Sequence, residues 1–162
     1  MKIGILSDTH DQLERTQRAV QALHAAGAEA LIHCGDLTRP KIVTACAVLP
    51  SYFVYGNNDV DDVPSLLKAM TAAGGVCLEW SGTVTLAGKR IAVTHGHITA
   101  HVRRLLAERP DYLCTGHSHI AHDWRDGPTR RINPGALYRA AEYSVAMLDL
   151  ATDDLQFIPI LR

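Results

Sequence analysis

Short apolar runs alternate with amphipathic stretches through the first half of the chain. Residues 2–7 form an apolar run typical of a buried strand, and residues 12–26 follow with apolar side chains on one helical stripe. Asp11, with Glu14 three residues later, predicts a capping box at the start of this helix. The alternation then continues, and it favours parallel strands with helices packed outside them. The predicted strands of this half are 2–7, 28–34 and 52–55, and the predicted helices are 12–26, 41–49 and 63–73.

The pattern changes after residue 75, where β segments become more frequent. Ala87-Gly88 and Asp126-Gly127 mark tight turns between such segments. One more helical stripe is predicted to end before Pro110. The arrangement that fits is a single α/β domain over residues 1–162, a four-layer α-β-β-α sandwich of two facing mixed sheets with helices on the outer faces. The predicted strands of this half are 76–80, 83–86, 90–94, 112–115, the two arms of a hairpin within 121–132, 144–150 and 155–161.

Composition and charge narrow the class of protein. The chain has 162 residues, of which 47% are hydrophobic and 20% charged, as expected for a folded domain with its own core. The net charge of −1 gives no general attraction to nucleic acid or to an anionic membrane. No apolar run approaches the roughly 18 residues of a membrane span, and the first is too short for a signal peptide, so we expect a cytoplasmic protein. The four cysteines show no CxxC spacing and predict reduced thiols rather than a thiolate zinc site.

Polar side chains follow five predicted strands at the point where each strand ends. Because the carboxyl ends of strands in an α/β sheet form one edge, we expect these side chains to gather in one place. Histidine clusters there too, since six of the nine histidines lie between His95 and His122. The five segments are Ser7-Asp8-Thr9-His10, Gly35-Asp36, Gly56-Asn57-Asn58-Asp59, His95-Gly96-His97 and Gly116-His117-Ser118-His119.

These segments offer oxygen and imidazole donors without a thiolate. Their number exceeds what one tetrahedral ion needs and suits two divalent ions that share a bridging carboxylate. Asp36 is the natural bridge, because its side chain is short and follows a glycine at the end of a strand. Each segment alone is typical of a turn or a helix cap, and the hypothesis of a metal centre depends on their order and shared placement.

The ordered series resembles that of the calcineurin-like metallophosphoesterase superfamily. The short chain, with Asn133-Pro134-Gly135 after the last segment, is similar to the small single-domain phosphodiesterase branch of that family. The resemblance implies a two-metal phosphodiesterase in which a metal-bridging hydroxide attacks the phosphorus of a small phosphodiester in line. Its donors admit manganese, or iron, nickel, cobalt or zinc. The implied ligands are Asp8, His10, Asp36 and His119 for the first ion, and Asp36, Asn57, His95 and His117 for the second.

One position departs from the family pattern and leaves the proton donor open. Many members carry histidine directly after the metal-binding asparagine, but Asn58 stands here, and an amide cannot supply a proton at neutral pH. His97 is a candidate substitute, with a structural role as the alternative. Asn58 and Asn133 are candidates for contacting the substrate, although Asn133 equally suits a turn, and Asp59 is expected to orient its loop. Surface or structural roles are expected for the remaining histidines, His24, His33, His101 and His122.

Other functions of the same fold stay open at the level of sequence. A weakly active or non-catalytic metal-binding scaffold is one, because the superfamily includes a non-catalytic trafficking subunit of the retromer coat. A nuclease is another, but the chain shows no strong nucleic-acid-binding signal and no capping domain. The expected partner is a small phosphate-ester substrate rather than a membrane, and a homo-oligomer stays open. Specificity is expected in the loops 61–65 and 136–142.

Overall fold

The chain forms eleven β-strands and four α-helices over residues 1–161, the part that this computed structural model describes. The predicted strands and helices are present, with their ends shifted by up to three residues, and a 3-10 turn (Val60–Asp62) precedes the third helix. In chain order the elements are β1 (Lys2–Leu6), α1 (Leu13–Ala25), β2 (Ala30–His33), α2 (Pro40–Cys46), β3 (Ser51–Phe53), α3 (Val63–Ala72), β4 (Val76–Cys77), β5 (Ser81–Leu86), β6 (Lys89–Thr94), α4 (Thr99–Ala107), β7 (Tyr112–Cys114), β8 (His122–Asp126), β9 (Thr129–Asn133), β10 (Ser144–Asp149) and β11 (Asp154–Pro159).

The strands form two mixed sheets. The first has the order β11-β10-β1-β2-β3-β4, with β1 to β4 parallel and the closing hairpin β10-β11 added antiparallel to β1. The second has the order β5-β6-β7-β9-β8, with β6, β7 and β9 parallel and the two outer strands antiparallel. The helical crossovers of the first half therefore build parallel pairs, and the hairpins of the second half supply the antiparallel edges.

Apolar side chains fill three layers between these elements. Ile5 and Ile32 of the first sheet pack in one cluster with Val93 and Cys114 of the second, so one apolar layer lies between the sheets. Helices α1 to α3 cover the outer face of the first sheet, and α4 places Leu105 against the outer face of the second. The predicted four-layer sandwich is confirmed. Among the described helices, none has the length and apolar character needed to cross a membrane.

The predicted capping box at the start of α1 is wrong. Gln12 precedes the helix as its cap residue, and no side chain caps the helix by a hydrogen bond. Asp11 instead has a left-handed backbone (φ 62°), donates its N–H to the Leu37 carbonyl (3.2 Å) and lies with a carboxylate oxygen 3.0 Å from Lys41 Nζ. The loop before α1 is therefore shaped by its contact with the loop after β2, which a local capping rule does not include.

We predict that the layer between the sheets contributes strongly to the stability of the fold. Leu148→Ala removes a fully buried side chain of β10 and should lower the free energy of unfolding by about 2–5 kcal/mol. The matched control Leu67→Ala, at a position on α3 that is 45% exposed, should cost less than about 1 kcal/mol. Urea denaturation followed by circular dichroism measures both changes, and equal effects would contradict the assignment of the core.

Candidate metal centre

The loops after four strands bring five of the predicted ligands into one cluster. Asp36 Oδ2 lies 3.3 Å from the Nε2 atoms of both His10 and His95. Asp8 Oδ1 lies 3.1 Å from His119 Nε2 and 3.8 Å from His95 Nε2. Since β1 and β2 belong to one sheet and β6 and β7 to the other, the cluster joins the ends of both sheets.

Five of the seven predicted ligands have a left-handed backbone, which residues other than glycine rarely adopt. Such conformations cost free energy and concentrate at functional sites, where the surrounding structure holds them. They allow each loop to reverse directly after its strand, so that the side chain returns toward the strand ends. The five residues and their φ angles are Asp8 (52°), His10 (39°), Asp36 (58°), His117 (68°) and His119 (60°).

Two glycines allow the ligand loops to approach each other more closely than side chains would. A Cβ atom at Gly56 would overlap the Asp36 carboxylate, and one at Gly116 would lie 2.6 Å from Asp8 Oδ2 and overlap Ser7 Oγ. Real Cβ atoms essentially never come within 3.0 Å of such neighbours. The glycine beside each of these segments is therefore required by close packing around the two aspartates.

Hydrogen bonds from the loop after β3 hold Asp36 in place. The Asn58 side chain donates Nδ2–H to Asp36 Oδ2 (2.8 Å), and the Asn58 backbone N–H donates to Oδ1 (2.9 Å). Asp59, which is fully buried, accepts the backbone N–H groups of Asp36 (2.9 Å), Gly56 (2.7 Å) and Thr38 (2.7 Å). Asp59 thus ties the two loops together, and Asn58 fixes the orientation of the Asp36 carboxylate.

Backbone carbonyls set the protonation of two histidines. His95 Nδ1 lies 2.7 Å from the Cys34 carbonyl oxygen, and His119 Nδ1 lies 3.3 Å from that of Arg139. A carbonyl only accepts, so each Nδ1 carries the hydrogen and donates it. In the neutral ring the lone pair is then on Nε2, the nitrogen that faces the aspartates. This arrangement is typical of metal-binding histidines.

The charges of the cluster shift the pKa values of its members in opposite directions. Burial alone would raise the pKa of Asp36, but His10 and His95 outweigh it and hold that pKa well below the usual range. Burial likewise opposes ionisation of Asp8, yet His119 and His95 lower its pKa. Burial would lower the pKa of His95, but Asp36 and Asp8 raise it. The carboxylates are therefore ionised at neutral pH and favour positive charge beside them.

Several buried polar atoms of the cluster fit a bound cation. In the part of the chain that the structure describes, Asp8 Oδ1, His10 Nε2 and His95 Nε2 are buried without a well-aligned hydrogen bond. Buried polar atoms are normally satisfied, so each exception needs an explanation. Two compact groups, Asp8-His10-His119 and Asp8-Asp36-His95, each have ligand atoms within 4.8 Å of one another. Carboxylate oxygen and imidazole nitrogen are common ligands of divalent ions.

The remaining predicted residues surround this cluster at different depths. The exposed ring of His117 lies 5.1 Å from that of His95, and the His117 backbone N–H donates to Asp8 Oδ2 (3.0 Å). Asn57 has an exposed side chain on the loop after β3. The His97 ring lies 5.4 Å from that of His95; burial and the neighbouring histidines lower its pKa. Asn133 is buried and donates Nδ2–H to the Gly116 carbonyl (2.8 Å), within the loop that carries His117 and His119.

His33 has a larger part in the centre than its sequence position suggests. It is fully buried, and burial lowers its pKa to about 3, so the ring is neutral. Its Nδ1 accepts the Gly35 N–H (3.2 Å), and its Nε2–H therefore donates to Thr9 Oγ1 (3.1 Å), which donates to the Asp36 carbonyl (3.2 Å). His33 thus links the loops of Asp8 and Asp36. The signal in the sequence from which this role could have been predicted is a histidine inside an apolar strand.

Tyr138 is a second residue that the sequence analysis did not single out. Its ring lies 4.7 Å from that of His10, and the next residue, Arg139, supplies the carbonyl that accepts from His119. Both residues belong to the loop 136–142, which was expected to carry specificity. Nothing in the local sequence indicated these contacts, because each joins two positions that are at least 20 residues apart.

This sandwich, with carboxylates and imidazoles gathered at its strand ends, is the framework of a metal-dependent phosphoester hydrolase. The chain belongs to the calcineurin-like phosphoesterase superfamily, whose domain model matches residues 1–153. The predicted family is therefore confirmed.

Relatives described as phosphodiesterases or metallophosphoesterases support the same class. The chain is 28% identical to phosphodiesterase MJ0936 of Methanocaldococcus jannaschii over 83% of either chain. It is 30% identical to the probable metallophosphoesterase YsnB of Bacillus subtilis, over 92% of this chain and 85% of that one. A solved structure described as a novel archaeal phosphodiesterase superposes with a TM-score of 0.89 at 26% identity and covers 99% of this chain and 100% of that one. The predicted enzyme class, a metal-dependent phosphoester hydrolase, is confirmed.

We predict that the close approach of Gly56 to Asp36 is needed for metal binding. Gly56→Ala pushes a methyl group into the Asp36 carboxylate and should weaken manganese binding by about 10–100-fold, as changes around metal ligands typically do. The control is Gly74→Ala, where an added Cβ meets no atom within 4 Å, although the left-handed backbone (φ 68°) makes it destabilising. Calorimetric titration should show unchanged metal affinity for the control, and equal loss in both variants would contradict the prediction.

Proposed function

We propose that this chain is a phosphodiesterase that binds two divalent ions, one on each side of Asp36, and hydrolyses small phosphodiesters. The observation that carries the proposal is the position of Asp36 Oδ2, which lies 3.3 Å from one histidine of each predicted ligand set, His10 and His95. A bridging carboxylate must face both ions. The two compact groups of ligand atoms share Asp8 rather than Asp36, and both Asp36 oxygens accept hydrogen bonds from Asn58. The choice of Asp36 as the bridge therefore depends on its equal distance from His10 and His95.

In such a centre, some residues of the chain would bind the ions and others would orient the residues that bind them. When bound, the two ions would supply the nucleophile and offset the charge that develops on the phosphoryl oxygens. Asp8, His10, Asp36 and His119 would hold the first ion, and Asp36, Asn57, His95 and His117 the second. The Cys34 and Arg139 carbonyls keep His95 and His119 in the tautomer that can bind. Manganese, iron, nickel, cobalt and zinc all suit these donors.

Asp36→Ala tests the shared ligand. Because the carboxylate would contact both ions, its removal should release both and lower the hydrolysis of bis(4-nitrophenyl) phosphate by more than about 100-fold. The control Asp62→Ala removes a carboxylate that pairs with Arg39 outside the cluster, and it should keep two ions and full activity. Elemental analysis of dialysed protein counts the ions. Two tightly held ions in Asp36→Ala would contradict the assignment, and an inactive metal-loaded wild type would favour a scaffold function.

The site has no strong proton donor for the leaving group at position 58. Asn58 donates its amide hydrogen to Asp36, so it acts as a positioning residue for the carboxylate and supplies no proton. We propose that the residual proton donation comes from His97, whose ring lies 5.4 Å from that of His95 and 6.0 Å from that of His117. Because the pKa of His97 is lowered, only a small fraction of this ring carries the extra proton at neutral pH, which agrees with weak acid catalysis. Asn133, whose amide is engaged with Gly116 and Gly135, would act on the substrate through the loop that it holds.

We therefore expect the rate to depend steeply on the pKa of the leaving group. General acid catalysis typically contributes about 10²–10⁴-fold, so nitrophenyl diesters should react far faster than alkyl diesters. Asn58→His should raise the alkyl rates most and flatten the dependence, while Asn58→Ala, which removes the amide without adding an acid, should leave it steep. His97→Ala should steepen it. The measurement is kcat/KM across a series of leaving groups, and a flat dependence in the wild type would show that another strong acid is present.

A further inference from the structure

A cleft of about 610 Å³ opens directly beside the metal centre. Its walls include the predicted ligand His119 with the following Ile120, the segment 141–144, and Phe157 and Pro159 of the edge strand β11. The cleft therefore lies where β10 and β11 reach the same end of the sandwich as the ligand loops. By contrast, the cleft between α1 and α2 contains none of the predicted ligands.

The cleft is an unfilled continuation of the layer between the sheets. Phe157 pairs with Ala146 across the β10-β11 ladder, and paired residues of antiparallel strands point to the same face. Ala146 is fully buried in the core between the sheets, yet Phe157 is 39% exposed. Ile120, which also lines the cleft, is 67% exposed. The second sheet ends before it covers these side chains, and so an apolar slot is left open at the edge.

We propose that this cleft binds a planar aromatic ester group, an aryl ring or a nucleobase, of the phosphodiester whose phosphate lies at the metal centre. The proposal rests on the proposed function and specifies its substrate class. Continuity is the first argument: the His119 imidazole lines the cleft while its Nε2 lies 3.1 Å from Asp8 Oδ1, so one ring borders both sites. A phosphate beside Asp8 would therefore have its ester group within reach of the cleft.

The size and chemistry of the walls argue for an aromatic group. A volume of this size is typical of small-molecule pockets and exceeds what a methyl ester would fill. Phe157 lies on the face of the first sheet that borders the cleft, and its aromatic ring packs well against another ring. Glu142 also lines the cleft, and its carboxylate disfavours a second anionic group and can accept N–H donors such as those of a nucleobase. A ligand with one phosphate and one flat, uncharged ring meets these conditions.

Binding of two phosphonates, whose C–P bond is not hydrolysed as an ester, tests the cleft without turnover. Phenylphosphonate and methylphosphonate are titrated into manganese-loaded protein by calorimetry. Wild type should bind the phenyl compound about 10-fold more tightly, as expected when a ring leaves water for an apolar site. Phe157→Ala should reduce this preference to within about 3-fold. Ala121→Trp, which adds a large side chain at another lining position of the cleft, should do the same, and the control Leu67→Ala should keep the full preference.

Several outcomes would overturn the inference. Equal affinity of wild type for the two phosphonates, or binding of neither, would do so, as would a preference unchanged in both cleft variants. A dimer seen by sedimentation that Ala121→Trp dissociates, with no phenyl preference in wild type, would assign the cleft to a second copy of the chain. Hydrolysis of bis(4-nitrophenyl) phosphate on the same samples separates the two proposals: activity without phenyl preference refutes only the cleft, and phenyl preference without activity refutes only the proposed function.

Discussion

The placement of the Asp36 carboxylate is the constraint on which the rest of this structure depends. Asn58 holds both of its oxygens from the loop after β3, and Asp59 holds the backbone N–H of the same residue. From the other sheet, His95 faces Asp36 Oδ2 and donates to the carbonyl of Cys34, which precedes Asp36 by two residues. The carboxylate is thus fixed by groups from both sheets. Any shift of one sheet relative to the other would change the geometry of the centre, and this explains why the sandwich needs a rigid core close to it.

Ligand placement of this kind costs stability. Left-handed backbone at five of the predicted ligands costs about 1–3 kcal/mol for each residue, and each buried nitrogen or oxygen atom without a well-aligned hydrogen bond costs a similar amount. The apolar layers that hold the strand ends offset this cost, because the strained residues follow directly on strands such as β1 and β2, whose side chains are almost wholly buried. Cation binding would recover part of the rest, since a ligand that binds only the folded state stabilises that state.

The sequence predicted the layers and the gathering of polar side chains at the strand ends, because both depend on patterns that are local. An apolar run ends in a polar group, and the topology of parallel strands then brings such ends together. The failures come from contacts between distant segments. The capping box predicted at Asp11 does not form, because the Asp11 N–H donates a hydrogen bond to the Leu37 carbonyl of a distant loop. The support of His119 by Arg139, and the packing of Tyr138 on His10, depend on how the loop 136–142 returns to the centre. The spacing of residues within one segment does not predict the path of this loop.

At position 58, a histidine and an asparagine would serve different functions. A histidine there would stand beside the leaving group as an acid, whereas the amide donates 2.8 Å to Asp36 Oδ2 without any charge of its own. Because Asp36 already faces His10 and His95, a further ionisable ring would place a third histidine around one carboxylate and compete with a cation for it. The Asn58 amide does not titrate in the ordinary pH range, so this hydrogen bond does not depend on protonation of Asn58. Under the proposed function, Asn58 would therefore favour the orientation of Asp36 over strong acid catalysis, which would suit substrates whose leaving groups need little protonation.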